Sequence, residues 1–442
     1  MRPTISWSEL PGRAIGLYGL GREGRVNLKK CRALGIEPVL VDDDPSSPTE
    51  DGCPVLRTEE GGREALARCE IVVKSPGVSR YGETVRGLVA AGIPVVGGLG
   101  LWLRDVDPSR VVVVVGTKGK STTTAVTAHL LNGLGHRTLA GGNLGFPPYN
   151  PELPDDFDYW IIEVSSYQAT DLSNTPPVCA VTSLAPDHLP WHDNDPETYY
   201  RDKLSALTQP GADLTIANGD SELLRAHAGL LGPRVKWVGA DDDPEATWMR
   251  PLGLLGVHNR RNALIAREIL RALGIAEADD PEAMRAAAEG FTGLESRLKP
   301  IGTIDGVLFV DDNLSTNVLP ALAAVQAFHD RRIALIVGGF DRGIDYAPLA
   351  VGLRDRAEDT LLITVPDNGP KIHRQVAETG AGPHVTLAEA DDLAKAVTEG
   401  FHWARPDGVV LLSPAAASFG RFRDYHDRGA AFAAAMSTCK AE

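Results

Sequence analysis

No stretch of the 442 residues approaches the roughly 20 apolar residues that cross a bilayer, and the opening Met1-Arg-Pro-Thr-Ile-Ser-Trp-Ser-Glu9 lacks the apolar centre of a signal peptide. These absences predict a soluble, cytoplasmic protein without a membrane partner. Cysteine is scarce: Cys31, Cys53, Cys69, Cys179 and Cys439 are scattered without C-x-x-C spacing. That pattern indicates neither a zinc site nor a disulfide framework, and it predicts reduced thiols. Positive charge is in deficit, with 44 Lys+Arg against 59 Asp+Glu and a formal charge of -15. Nucleic acid and anionic membranes are therefore poor partners, and an anionic ligand must meet local cations. Internal repeats and low-complexity segments are also missing. The chain is too long for one core and should divide into two or three domains.

What is present begins with Val111-Val-Val-Val-Val115 running into Gly116-Thr117-Lys118-Gly119-Lys120-Ser121-Thr122-Thr123-Thr124. Consecutive valines suit a parallel strand covered on both faces, and the glycines let backbone N-H groups curl around a phosphate at a helix N-terminus. In phosphate-loop mechanics Lys120 reaches the outer phosphates and the Ser121 hydroxyl holds Mg2+. The full G-x-x-x-x-G-K-[ST] pattern is not met, because Val114 stands at its first glycine. The strand before and the helix after supply the context that the shortened motif needs.

Upstream, a short strand within Ala14 to Leu20 leads into Gly19-Leu20-Gly21-Arg22-Glu23-Gly24, a helix to Ala33 and a strand ending at Asp42. An acidic residue about 20 positions beyond a glycine turn marks a Rossmann-like half. Ile71 to Lys74 ends in the Ser75-Pro76-Gly77 turn, and both turns should share the carboxyl edge of one sheet, where open α/β sheets bind ligands. Strands alternate with helices through Trp160 to Val164, Cys179 to Thr182 and Leu214 to Ala217, and again at Val307, Ile333, Thr360 and Val409. The fold class read from this is α/β with three domains: a Rossmann-like N-terminal domain at 1–107, a central phosphate-loop parallel sheet at 108–299, and a Rossmann-like C-terminal domain at 300–442. Residues 239–255 give no firm assignment. The Ala-rich C-terminal stretch reads as an ordinary packed helix.

Glu163 ends a strand and should emerge beside the phosphate loop, where a carboxylate can hold a metal bridging nucleotide and substrate oxygens. Read singly, it is also a common solvated strand-end residue. His188, in Asp187-His188-Leu-Pro-Trp191-His192, can complete a metal site or lie on the surface, and Lys203 by residue type alone is a solvated cation. In Gly256-Val-His-Asn-Arg-Arg-Asn262 the asparagines precede the helical run from Ala263; they can cap that helix or recognise a base edge, and the pattern favours capping.

Taken in order, these motifs resemble the Mur ligases, the ATP-dependent amino-acid ligases of peptidoglycan precursor synthesis, and most closely their glutamate-adding member. The resemblance rests on Gly116 to Thr124, Glu163-Val-Ser-Ser-Tyr-Gln168, Asp187-His188, Lys203, Gly256 to Asn262, Asp311-Asp312 and Leu412-Ser-Pro-Ala-Ala-Ala-Ser-Phe419. It implies domains for UDP, ATP and the incoming amino acid, and closure to bring ATP and amino acid together. It implies Gly116, Thr117, Lys118, Gly119, Lys120, Ser121, Thr122, Asn262, Arg297 and Asp311 as ATP contacts. Ser121, Glu163, His188 and Lys203 would be the magnesium set, with Lys203 carrying a CO2-derived carbamate, and Lys120, Lys203 and His188 the catalytic residues. Gly21, Arg22, Asp42, Ser75, Pro76, Gly77 and Asn143 would hold the UDP-sugar, and Thr316, Arg342, Ser413, Phe419 and Arg421 the amino acid. The implied reaction phosphorylates the carboxylate of UDP-N-acetylmuramoyl-L-alanine and forms a peptide bond to glutamate, releasing ADP and phosphate. A folylpolyglutamate synthase-like ligase and a non-catalytic nucleotide-binding regulator are the competing readings.

The sequence departs from the usual D-glutamate pattern. The lysine of D-S-K-A-T-N is replaced by Leu314 in Asp312-Asn-Leu-Ser-Thr-Asn317, G-G-x-x-K becomes Gly338-Gly-Phe-Asp-Arg342, and H-R becomes Ser296-Arg297. These features resemble the subgroup that adds L-glutamate and depends on a separate epimerase to invert the product. Moving a carboxylate between enantiomers requires its cationic clamp to move, and Arg342 or Arg421 offers a planar fork in place of a point charge. A D-glutamate enzyme with neutral substitutions is the alternative.

Overall fold

The computed structural model describes residues 2–439, which form three six-stranded sheets flanked by helices. In spatial order the first sheet is Thr49–Glu50, Cys53–Arg57, Val39–Asp42, Ile15–Tyr18, Ile71–Lys74 and Val95–Gly97. It is parallel except where Thr49–Glu50 meets Cys53–Arg57. The second, parallel throughout, runs Arg234–Val238, Leu214–Asn218, Val178–Val181, Val111–Val115, Tyr159–Glu163 and Thr138–Gly142. The third is Lys299–Ile304, Val307–Asp311, Val409–Leu412, Ile333–Val337, Thr360–Thr364 and Val385–Glu389, with only the first pairing antiparallel.

The strands that read clearly in the sequence are the inner ones. Val111–Val115, Ile333–Val337 and Thr360–Thr364 are buried along their whole length, as a parallel sheet with helices on both faces requires. Cys53–Arg57, Arg234–Val238 and Val385–Glu389 have no such apolar run to betray them. They lie at or next to sheet edges and are half exposed.

Two compact units result. One runs to Leu252 and takes up Arg261–Phe291; the other comprises Gly253–Arg260 and Thr292 onward. In the first, a single apolar core reaches from Trp7 through Trp102 and Trp160 to Leu231, so its two sheets share packing; Trp102 and Trp160 meet edge-on at 5.3 Å. In the second, alternate strand residues feed two cores, one with Val310 and Leu335 and the other with Phe309 and Ile336. The Ala-rich tail is the helix Tyr425–Thr438, with Phe432 packed into the latter core.

Two local expectations change. The helix expected from Ala263 begins at Val257, so Asn259 and Asn262 lie inside it and Asn262 is not its cap. The unassigned stretch contains a 3-10 segment at Thr247–Leu252. The cysteines are free thiols, and among the described residues no helix is long and apolar enough to cross a membrane.

Candidate active site

Val111–Val115 delivers the chain into the glycine turn, and the helix Lys120–Gly133 starts at once. Gly116 (φ +139°) and Gly119 (φ +91°) occupy the left-handed region that side chains avoid. A Cβ on Gly119 would also come within 2.8 Å of Asn262 Oδ1, so the buried amide borders the loop. Neighbouring strand ends brace the turn. Thr117 N donates to Ser183 O at 2.8 Å, Lys118 N donates to Ser183 Oγ at 2.8 Å, and Thr117 Oγ1 pairs with the Tyr199 hydroxyl at 3.0 Å. Lys118 Nζ lies 3.3 Å from Asp187 Oδ2. First-turn N-H groups have no intrahelical acceptor, which suits this turn to a phosphate.

Glu163 pairs in register with Val114 at the same sheet edge. Its side chain is 2% exposed, so it is not a solvated strand end. Oε1 accepts from Asn143 Nδ2 at 2.7 Å and lies 4.0 Å from Lys120 Nζ, while Oε2 is buried without a hydrogen-bond partner. An orphaned carboxylate oxygen beside a phosphate-type loop fits a divalent cation.

Lys203 is equally far from a solvated cation. The helix Pro196–Leu204, capped by Asp195 accepting from Thr198 N at 2.9 Å, buries it with Nζ donating to Gly116 O at 2.9 Å and standing 4.9 Å from the Tyr199 ring centre. Burial, reinforced by the charge of Lys120, drives its pKa well below the ordinary lysine value. His188 adopts φ +50° and remains 55% exposed, edge-on to Tyr167 at 5.4 Å. Desolvation lowers its pKa. Ser121 is buried in the first turn of the loop's helix, and Thr122 follows it half-buried. Among the described residues no group of three or more His, Cys, Asp and Glu is placed to hold a metal. A cation here would have to draw on the hydroxyl of Ser121 and on a changed Lys203 as well as on Glu163 and His188.

Every residue expected to hold the UDP-sugar lines one cavity of about 570 Å3: Gly21, Arg22, Asp42, Ser75, Pro76, Gly77 and Asn143. The register Ile15 to Ile71 brings the glycine turn and the Ser75-Pro76-Gly77 turn to the same edge. They touch so closely that a Cβ on Gly24 would meet Gly19 O and Ser75 Oγ. Asp42 Oδ2 accepts from Leu20 N at 2.6 Å, holding the first turn. Four further wall residues, Gly19, Glu23, Asp43 and Val78, were not among those expected to hold the ligand. Glu23 accepts from Tyr149 and Gln168 at 2.9 Å each, partners distant in sequence that no local pattern announces.

In the second unit the expected residues scatter more. Phe419 and Arg421 line a cavity of about 340 Å3 with Gly338, Gly339, Ser418 and Phe422. Arg342 stacks over Phe419 at 5.5 Å, and Arg421 Nε lies 3.2 Å from Asp367 Oδ1. Ser413 does not line this cavity; it is fully buried, donating to Asp312 Oδ2 at 2.7 Å, whereas Ser418 does line it. Thr316 is half-buried in the turn after Asp312. Asp311 accepts from Ser296 Oγ and Asn313 N at 3.0 Å each, and burial raises its pKa. Arg297 is exposed between Ser296 and Leu298, both at positive φ. Leu314 is held through Leu314 N donating to Ser296 O at 3.0 Å.

Three largely parallel sheets, one bearing a phosphate-type loop with a buried carboxylate and lysine at its edge, define an α/β protein of the phosphate-loop class. Residues 114–251 match the Mur ligase middle domain. The chain is 38% identical to the UDP-N-acetylmuramoyl-L-alanine--L-glutamate ligase of a Micromonospora strain over 97% of each chain. It is 37% identical to the protein of the same name from Xanthomonas axonopodis pv. citri, over 96% of this chain and 95% of that one. The fold is shared with the MurF ligase of Thermotoga maritima solved in complex with ADP (TM-score 0.57, 14% identity, 99% of this chain and 98% of that one). The chain belongs to the Mur ligase family.

Proposed function

We propose that this protein is an ATP- and magnesium-dependent ligase that adds L-glutamate to UDP-N-acetylmuramoyl-L-alanine. The observation that carries this reading is the identity of 38% along nearly the whole chain to a relative named for that reaction. Residues 1–107 would hold the UDP-sugar, 108–299 ATP, and 300–442 the incoming amino acid. The reaction belongs in the cytoplasm, and a separate epimerase would then invert the added residue.

A carboxylate is a poor electrophile because oxide is a prohibitive leaving group. Its attack on the terminal phosphate of ATP releases ADP and gives an acyl phosphate; the glutamate amine then attacks the carbonyl, phosphate departs, and the nitrogen loses a proton. The turn's N-H groups and Lys120 would hold the nucleotide phosphates, and Asn262, Arg297 and Asp311 the rest of the nucleotide. Ser121, Glu163, His188 and Lys203 would hold magnesium, which when bound offsets charge on the transferring phosphoryl group. The orphaned Glu163 oxygen supports that set. Burial of Lys203 favours its neutral amine, the form that adds CO2 with loss of a proton to become an anionic oxygen ligand. Arg342, with Phe419, Arg421, Thr316 and Ser413, would set the amino-acid site.

The test is a ligation assay with each pure enantiomer of glutamate at matched concentration. Phosphate and peptide should form only with ATP, UDP-N-acetylmuramoyl-L-alanine and L-glutamate together. Preference for D-glutamate would remove the L-specific reading and leave the ligase; phosphate release that ignores both acceptor and glutamate would remove the ligase.

A further inference from the structure

The segments that carry Glu163, His188 and Lys203 also carry side chains that the proposed chemistry does not use. Ser166 follows Glu163 by three positions, His192 follows His188 by four, and Asp202 precedes Lys203. These three side chains are joined. His192 Nδ1 lies 2.7 Å from Asp202 Oδ2 and Nε2 lies 3.1 Å from Ser166 Oγ. The arrangement has the connectivity of a serine-histidine-aspartate triad, yet His192 is fully buried and Ser166 nearly so, and neither lines a cavity described above. A nucleophile that no substrate reaches does no chemistry, so the chain of contacts acts on position.

Its fourth member, Tyr81, lies three residues beyond Val78, the last residue of that segment on the wall of the cavity proposed for the UDP-sugar. The Tyr81 hydroxyl donates to Asp202, with both carboxylate oxygens within reach at 2.9 and 2.8 Å. Tyr81 ends the segment that begins with Lys74 and contains Ser75, Pro76, Gly77 and Val78 of that wall. The other end of the segment is pinned as well. Lys74 Nζ pairs with Asp171 Oδ2 at 2.6 Å, both side chains essentially inaccessible, and Asp171 lies in the stretch that leaves Glu163. Arg80 adds a contact to Asp171 Oδ1 at 3.5 Å. The segment that carries part of the cavity wall is therefore held at one end by the buried Lys74–Asp171 pair and at the other by the half-buried contact of Tyr81 with Asp202, which adjoins Lys203 in sequence. Buried contacts of this kind tolerate little displacement, because a lost partner leaves a desolvated polar group unpaired.

We propose that Tyr81, Asp202, His192 and Ser166, seconded by Lys74 and Asp171, are positioning residues through which an acceptor in the UDP-sugar cavity sets the geometry of Glu163 and Lys203 and so tightens binding of magnesium-nucleotide. The inference rests on the ligase reading above. It predicts reciprocal coupling: whatever factor the acceptor adds to nucleotide affinity, nucleotide adds to acceptor affinity.

The experiment is calorimetric titration of the full-length protein with a non-hydrolysable ATP analogue and Mg2+, with and without saturating UDP-N-acetylmuramoyl-L-alanine. Unaltered protein should bind the analogue about fivefold or more tightly with the acceptor present. Tyr81→Phe keeps the ring, which packs edge-on against Trp191 at 5.9 Å, and removes only the hydroxyl. It should bring the ratio below about twofold while leaving the acceptor-free nucleotide affinity essentially unchanged, whatever it costs in melting temperature. Lys74→Met, tested in parallel, should lower the same ratio. A merely structural hydroxyl would lower the melting temperature and leave the ratio intact. A ratio near one in unaltered protein, or an undiminished ratio in Tyr81→Phe, overturns the inference. Failure of unaltered protein to bind the acceptor at all is a different result, which overturns the ligase reading itself.

Discussion

The two candidate ligand cavities were read from the same sequence with unequal success. In the first unit every residue expected to hold the UDP-sugar lines one cavity, whereas in the second unit Phe419 and Arg421 line the cavity, Arg342 reaches it through Phe419, and Ser413 does not line it. The difference lies in what does the recognising. In the first cavity, backbone turns at strand ends form the wall, and a parallel register fixes where such turns emerge. In the second, side chains from loops do the work, and their direction depends on packing that spacing does not encode.

The largest expected effect falls on the edge where legibility was best. Lys203→Ala should lose activity by about a hundredfold or more, and bicarbonate or a short carboxylic acid should partly restore it, since a small carboxylate can stand where the carbamate would. Activity equal to that of the unaltered protein would take Lys203 out of the site. Next, Arg342→Ala should raise KM for L-glutamate by about tenfold to a hundredfold with little change in KM for ATP, as loss of a charge-assisted pair requires. If Arg421→Ala does this and Arg342→Ala does not, the clamp belongs to the cavity wall rather than to the residue stacked on it. Gly24→Ala forces a methyl group against Gly19 O and Ser75 Oγ. It should raise KM for the UDP-linked acceptor or cost about 1–3 kcal/mol of stability, read by kinetics and thermal melting. An unaffected variant would mean that the first cavity is less tightly built than its glycines suggest.

The smallest effect is a pH dependence in the second unit. Burial pushes Asp312 up to about 6, against hydrogen bonds from Ser315, Ser413 and Leu298 N that favour its ionised form. A carboxyl with a raised folded-state pKa binds its proton more tightly in the folded chain, so its contribution to stability is present at low pH and falls as pH rises from the unfolded value toward about 6. Melting temperature measured from pH 4 to 7 should show that fall, and Asp312→Asn should flatten it. A parallel curve in the variant would place the titration elsewhere.

The sequence by itself determined the fold class, the inner strands, the phosphate-type turn and the edge at which Glu163 emerges. These follow from local covalent pattern: apolar runs that must be covered on both faces, glycines that permit positive φ, and a parallel register that aligns strand ends. Half-exposed edge strands such as Arg234–Val238 were invisible for the converse reason, having no apolar run to signal burial. Only the tertiary structure decided that Lys203 and Glu163 are buried rather than solvated, that Asn262 borders the glycine turn instead of capping a helix, and that Ser418 rather than Ser413 reaches the second cavity. It also brought Tyr81 to Asp202 across more than a hundred residues of chain. Burial and long-range pairing depend on which segments pack together, and residue type and spacing carry no record of that.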